Sequence, residues 1–172
     1  MILCIETATS ICSAALCDAS GVIAIRESRD LKSHASLLTV FIKEIFDEAG
    51  IKATDLEAVS VSKGPGSYTG LRIGVSVAKG IAYASSIPLI GIETTLSMFF
   101  GIKGNTSDNK YEETNVLYCP MLDARRMEVY YAIYDNKGCV VKGIAAEVIS
   151  EKSFNDIPEN KKIMFFGEHI CS

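Results

Sequence analysis

The sequence predicts an α/β protein built from two similar lobes, on three observations. A β-prone run at residues 56–61 passes through a glycine-rich turn into a helical run at 71–85. Three short β-prone runs stand before it, at 2–6, 12–17 and 22–27. After a polar stretch at 101–113, three more such runs follow at 115–122, 128–134 and 140–148, so the opening pattern restarts.

The elements follow in order. Residues 2–6 are a short apolar strand, 7–10 a polar turn and 12–17 a second strand. Asp18, Ser20 and Gly21 make a hairpin turn, and 22–27 alternates apolar with polar as a third strand. From 36 to 49 apolar residues recur at 37, 38, 41, 42, 45, 46 and 49, a helical period, and Gly50 ends that helix. The strand at 56–61 and the turn at 62–70 lead into the helix at 71–85, where Gly70, Gly74, Ala78 and Ala82 fall four apart on one ridge. Pro88 starts a strand at 89–92, and 93–100 reads as a short helix. The polar stretch at 101–113 is the linker, which divides the chain into lobes at 1–103 and 104–172. In the second lobe a turn at 136–138 joins the strands at 128–134 and 140–148. A helical turn at 150–156 and a last strand at 162–166 follow.

Composition sets bounds on function. The 172 residues are 48% hydrophobic and 22% charged, as in ordinary globular proteins. A net charge of -4 argues against a chain that grips nucleic acid on a broad basic face. The six cysteines form no C-x-x-C pair, so no zinc knuckle is expected; Cys4, Cys12, Cys17 and Cys119 read as small buried core residues. No basic leader opens the chain and no apolar run is long enough to span a bilayer. A soluble cytoplasmic protein is expected.

The most informative stretch is 62–74, S-K-G-P-G-S-Y-T-G-L-R-I-G. Gly64, Gly66 and Gly70 allow close approach by a backbone or a ligand, and Pro65 stiffens the turn. Thr69 is placed to cap the helix, and Ser67, Thr69 and Arg72 put anion-binding groups beside the glycines. A Walker A loop is excluded because Gly70 is followed by Leu71 and Arg72. The G-x-G-x-x-G fingerprint is excluded because Thr69 stands where its third glycine belongs. Tyr68 either stacks on a base or packs under the turn. His34, ahead of the first helix, either caps it or meets a partner. His34 and His169 are the two histidines of the chain, and spacing supports no Ser-His-Asp or Cys-His arrangement.

A meander followed by helix, strand, helix and strand is the order of the ribonuclease H-like fold of actin-like ATPases. The thirteen-residue stretch resembles the signature of the TsaB (YeaZ) family of bacterial tRNA threonylcarbamoyladenosine synthesis, which is related to the TsaD (glycoprotease-like) family. The opening I-E-T-A-T-S, the S-H-A-S at 33–36 and the D-A-R-R-M-E-V-Y at 123–130 fit it in order.

The resemblance implies two actin-like lobes, with further helices after Gly167 to complete the second. It places Glu6 and Thr7 of the first hairpin, with Asp123 and Arg125 of the second, around a degenerate nucleotide cleft. Ala124, Arg125 and Arg126 stand where active ATPases carry a glycine turn, so no ATP hydrolysis is expected. TsaD proteins carry a His-x-x-x-His metal pair after the strand matching 89–92; here residues 92–98 hold no histidine, so no such metal is expected. The implied role is a non-catalytic scaffold that pairs with a TsaD-like catalytic subunit and works with a TsaE-like ATPase. It would reach tRNA through the complex and bind no cofactor tightly itself, ATP being used by its partners. The alternative is an independent enzyme, a glycoprotease-like peptidase or a small-molecule kinase.

The partner interface is expected on two helices. The Gly70, Gly74, Ala78 and Ala82 ridge would admit another helix closely. The helix at 36–49 has two adjacent apolar ridges, Leu37, Phe41 and Ile45 beside Leu38, Ile42 and Phe46, wider than one sheet contact needs. The resemblance agrees, because family members pair through helices of the first lobe; alone, the same surface would form a homodimer.

Overall fold

A computed structural model describes residues 1–29, 34–105, 115–150 and 152–167. It divides into two compact units, Met1–Glu93 and Thr94–Ser172.

The first unit is a five-stranded sheet in the order β3-β2-β1-β4-β5. Its strands are β1 (Ile2–Glu6), β2 (Cys12–Asp18), β3 (Gly21–Ser28), β4 (Ala58–Gly64) and β5 (Leu89–Glu93). Strands β1 to β3 form an antiparallel meander, and β4 and β5 join parallel to β1. Parallel addition needs crossovers, supplied by α1 (His34–Ala49) and α2 (Tyr68–Ser85). Alternation along β1 and β2 sends Leu3, Ile5, Cys12, Ala14 and Leu16 to the face under the helices. Leu38 and Ile45 of α1 close that core with no exposed surface, each burial stabilising by about 1.5–3 kcal/mol.

Local chemistry sets the ends. The Asp18 carboxylate accepts the Ser20 amide at 2.7 Å, and Gly21 takes φ +129° in the first hairpin. α1 stops at Gly50, φ +65°, where the Ile51 amide donates back to the Phe46 carbonyl at 3.0 Å in a Schellman closure.

The second unit repeats the strand logic. β6 (Val116–Arg125), β7 (Glu128–Tyr134), β8 (Val140–Val148) and β9 (Lys162–Gly167) form a sheet in the order β8-β7-β6-β9, with β9 parallel to β6. Here both faces of the central strand are covered, which explains its unbroken apolar run. On one face α3 (Thr94–Asn105) packs Phe99 edge-on against Tyr118, ring centroids 5.2 Å apart. On the other, Phe154 and Ile157 of the turn segment cover Leu117, Met121 and Tyr131.

Two readings of the sequence change. α3 packs on β6 and β7, so the units part at Glu93/Thr94 rather than at 103/104. The expected linker at 101–113 contributes its first five residues to α3, and 106–113 lie outside the described residues. Cys12 and Cys119 are buried as expected, but Cys4 and Cys17 are half-buried on the sheet face turned away from α1 and α2. No described helix is long and apolar enough to cross a membrane.

The β6–β7 hairpin is strained. Arg125 pairs with Glu128, leaving the two-residue loop Arg126–Met127 with φ +54° and +67°. Two positive φ values define the turn type that Asn-Gly suits, and a side chain with a Cβ resists that region. Replacing Arg126→Asn together with Met127→Gly should therefore raise the unfolding free energy by about 1–2 kcal/mol in urea denaturation. Unchanged stability would mean that the loop is relaxed as it stands.

Candidate functional site

The glycine-rich loop and the first hairpin are locked together. The Ser67 amide donates to the Ala8 carbonyl at 2.7 Å. Gly66 lies so close to Ala8 that a Cβ there would stand 2.3 Å from the Ala8 oxygen. Gly70 would meet the Thr7 carbonyl oxygen at 2.0 Å, and Gly74 the Thr7 hydroxyl at 2.2 Å. Glycine is required at 70 and 74 by space and at 66 also by φ +149°. Gly64 adopts φ +111°, and the Gly64–Pro65 bond is cis.

The polar groups of this corner are engaged within the chain. One oxygen of Glu6 accepts the Ala8 amide at 2.6 Å, and the other accepts the Ser62 hydroxyl. Thr7 is fully buried, its hydroxyl against Gly74 and without a hydrogen-bond partner. It packs inside the fold, in the hairpin where the resemblance implies a degenerate nucleotide cleft. The Ile11 amide donates to Thr9 Oγ1 at 3.1 Å. The helix cap is Ser67, whose hydroxyl accepts the Gly70 amide at 3.2 Å; Thr69, expected in that role, is an exposed residue inside the first turn. Tyr68 is 74% exposed and so does not pack under the turn, and Arg72 lays its guanidinium over the Tyr68 ring, 5.4 Å from the centroid.

The expected interface ridges turn inward. Gly70, Gly74, Ala78 and Ala82 are the buried face of α2, against the protein's own β1 end and sheet. Leu38, Ile42 and Ile45 are buried in the same core, and Leu37 and Phe41 are half-buried. The wide apolar stripe on α1 has an internal cause, because α1 packs at once on β2, β3 and α2. Outward from these helices stand Val40, 47% exposed, and Tyr83, 90% exposed. Tyr83 borders a shallow groove of about 750 Å³ with Lys79, Gly80, Ser86, Ile87 and Leu89.

Glu6 and Thr7 belong to the first unit, Asp123 and Arg125 to the second. Asp123 accepts the Arg125 amide at 2.7 Å, which fastens the base of the strained hairpin and leaves the Arg125 and Arg126 side chains exposed. His34 opens α1, but its side chain and all of His169 lie outside the described residues. Sequence reasoning missed the Ser62 hydroxyl that ties down Glu6, and the Lys63–Glu93 ion pair at 3.7 Å beside it. Ser62 opens the turn read at 62–70, so its place two residues from Gly64 was the available clue. Among the described residues no three His, Cys, Asp or Glu side chains cluster as metal ligands.

These distances separate three helical glycines. Gly70→Ala and Gly74→Ala should each destabilise the fold by about 1–3 kcal/mol, since Thr7 must move. Gly80→Ala, with nothing within 4 Å, should stabilise by up to about 1 kcal/mol. Thermal melts of the three variants test this, and equal effects would refute the lock.

Comparison with known proteins places this corner. A family model described as "TsaD: tRNA N6-adenosine threonylcarbamoyltransferase" matches residues 27–164. The chain is 35% identical over 133 residues to the tRNA threonylcarbamoyladenosine biosynthesis protein TsaB of Escherichia coli, covering 77% of this chain and 54% of that protein. It is 29% identical to TsaB of Haemophilus influenzae, over 99% of this chain and 64% of that protein. The chain thus spans between about half and two thirds of the length of these relatives. The solved structure of YeaZ from Pseudomonas aeruginosa superposes with a TM-score of 0.69 at 25% identity, covering 84% of this chain and 65% of that one. With its paired meander sheets, parallel crossovers and locked glycine signature, the chain belongs to the TsaD-type family and, within it, to TsaB (YeaZ).

Proposed function

We propose that this chain is a non-catalytic scaffold subunit in the synthesis of threonylcarbamoyladenosine on tRNA. It would pair in the cytoplasm with a TsaD-like catalytic subunit, work beside a TsaE-like ATPase and meet tRNA through the complex. The observation that carries this reading is the filled signature loop. Gly66, Gly70 and Gly74 are occupied by Ala8 and Thr7 of the same chain, and the Glu6 carboxylate is engaged at Ala8 and Ser62. A phosphate-handling loop keeps its amides and glycine hollows for the ligand; this one spends them on its own hairpin. Any cofactor would then be held by the partners, and the loop's contribution is to set the angle of α2.

With the small-residue ridge turned inward, the docking layer is proposed on the outward sides of α1 and α2. Val40 and Tyr83 offer apolar surface there, and the half-buried Leu37 and Phe41 lie on α1. The same layer would close a two-fold homodimer when the catalytic partner is absent.

Reconstituted tRNA modification tests the role. The purified partners should form threonylcarbamoyladenosine with this chain present and fail without it, and the chain alone should turn over no ATP. ATP turnover near the enzyme median of roughly 10 per second, lost in Glu6→Ala, would favour the independent kinase instead. The docking layer is tested separately. Val40→Glu with Tyr83→Arg should leave the melting temperature within a few degrees while abolishing both the homodimer and capture of the TsaD-like subunit. Retention of both would place the interface elsewhere.

A further inference from the structure

The buried face of α2 is Gly70, Gly74, Ala78 and Ala82. At about 100° per residue, Tyr68, Arg72, Ser76 and Lys79 fall within about 80° of one another on the other side, and all four are exposed. α2 holds these two cations and no acidic residue, in a chain of net charge -4. Residues four apart on a helix are neighbours, and here they meet: the Arg72 guanidinium lies over the Tyr68 ring, 5.4 Å from its centroid. Among the described residues no carboxylate pairs with Arg72.

Tyr68 keeps 74% of its surface in water, so one of the two roles open to it, packing under the turn, is gone and stacking on a base remains. A base stacks on an aromatic ring or a guanidinium plane, and a guanidinium donates to phosphate. The platform is also held still. Ser67, the residue before Tyr68, donates its amide to the Ala8 carbonyl at 2.7 Å and caps Gly70. The start of α2 is therefore fixed before any ligand arrives, and the ordering cost of binding is small. Between 67 and 78 the exposed residues are Ser67, Tyr68, Thr69, Arg72 and Ser76, none of them aliphatic. A protein partner finds little apolar area to bury there, whereas a nucleotide finds a ring, a cation and hydroxyls.

We propose that Tyr68 and Arg72 form a platform for an unpaired nucleotide of an RNA strand. The base stacks on Tyr68 and the adjoining phosphate is held by Arg72. Lys79, about 10 Å further along the helix, meets a second phosphate. The choice of RNA rests on the proposed role in tRNA modification, and it gives this chain an RNA contact of its own. Tyr83, about 22 Å along α2 from Tyr68, remains in the protein-docking layer. The net charge of -4 opposes a broad grip, so one or two phosphates are neutralised and log K should fall with log salt at a slope of about -0.7 to -1.4. A duplex hides the faces of its bases and offers nothing to Tyr68.

The test is fluorescence anisotropy of the full chain with a labelled single-stranded oligouridylate of about 12 nucleotides, from about 50 to about 200 mM salt. The strand should bind with that shallow slope, and a blunt duplex of the same length should compete poorly. Tyr68→Ala should weaken binding by about 5- to 150-fold, while Tyr68→Phe keeps the affinity because the ring remains. Arg72→Gln should weaken binding and flatten the slope by about 0.7. Melting curves check that these variants, all at exposed positions, fold as the parent does. No binding at about 1 mM protein, beyond the usual non-specific range, would overturn the proposal. So would equal binding of strand and duplex, or unchanged affinity in Tyr68→Ala. Two further results also overturn it. Free uridine monophosphate competing as strongly as the strand would assign the platform to free nucleotides, and loss of TsaD-like subunit capture in Tyr68→Ala would make it a protein contact. The binding measurement needs no partner protein, so it can fail while reconstituted modification still depends on this chain, and the reverse.

Discussion

The close approach of the first hairpin to the start of α2 is the constraint on which the first unit depends. Three glycines remove three Cβ atoms, and backbone and side-chain atoms of Thr7 and Ala8 occupy the space. Nothing larger than hydrogen is accommodated at 70, where the would-be contact is to a carbonyl oxygen at 2.0 Å. Once α2 is seated this way, its Gly70, Gly74, Ala78 and Ala82 face is turned to the β1 end and the sheet, and its outward side is set. α1 then lies against both the meander and α2, which is why it needs two apolar ridges rather than one.

The lock also fixes the chemistry of the corner. It leaves the Thr7 hydroxyl buried without a partner, which costs about 1–3 kcal/mol, a penalty that close packing of helix on strand must offset. It engages both oxygens of Glu6 and one amide of the loop. The two β1-type hairpins of the molecule behave in opposite ways. Residues 7–10 are drawn under α2 and held by it. Residues 126–127 form an exposed loop in a backbone conformation poorly suited to Arg and Met, fastened only at its base by Asp123.

Much of this was legible in the sequence, and the misreadings have definite causes. Among the described residues, periodicity located α1 and the alternating strands, because alternation and the 3.6-residue repeat are local properties. Glycine spacing announced a close approach at 64–74 but not what approaches, since a ligand and the chain's own backbone make the same demand. The apolar width of α1 reported how much of it is buried, not by whom. Ser67 and Thr69 are both capping residues two positions apart, and only the tertiary position of the loop chooses between them. In α3 polar and apolar residues are not segregated to separate faces, so its sequence pointed to no face and gave no warning that it belongs to the second sheet. Cys4 and Cys17 sit in apolar runs that resemble fully covered strands. The first sheet is instead packed by α1 and α2 on one face, and alternation leaves those two sulfurs on the other.

The duplication itself is uneven in a way that matters for recognition. β6 to β9 copy the order and directions of β1 to β4, yet β6 is covered on both faces and β1 is packed under helices on one. A strand covered on both faces is spent on stability. A strand packed under helices on one face, with α1 and α2 fixed by a rigid lock, presents defined surfaces at low conformational cost. The glycine signature should therefore be read first as the geometry that holds those surfaces still. In this chain it fixes how α2 meets the first hairpin. At that meeting Thr7 and Ala8 fill the space that Gly66, Gly70 and Gly74 leave.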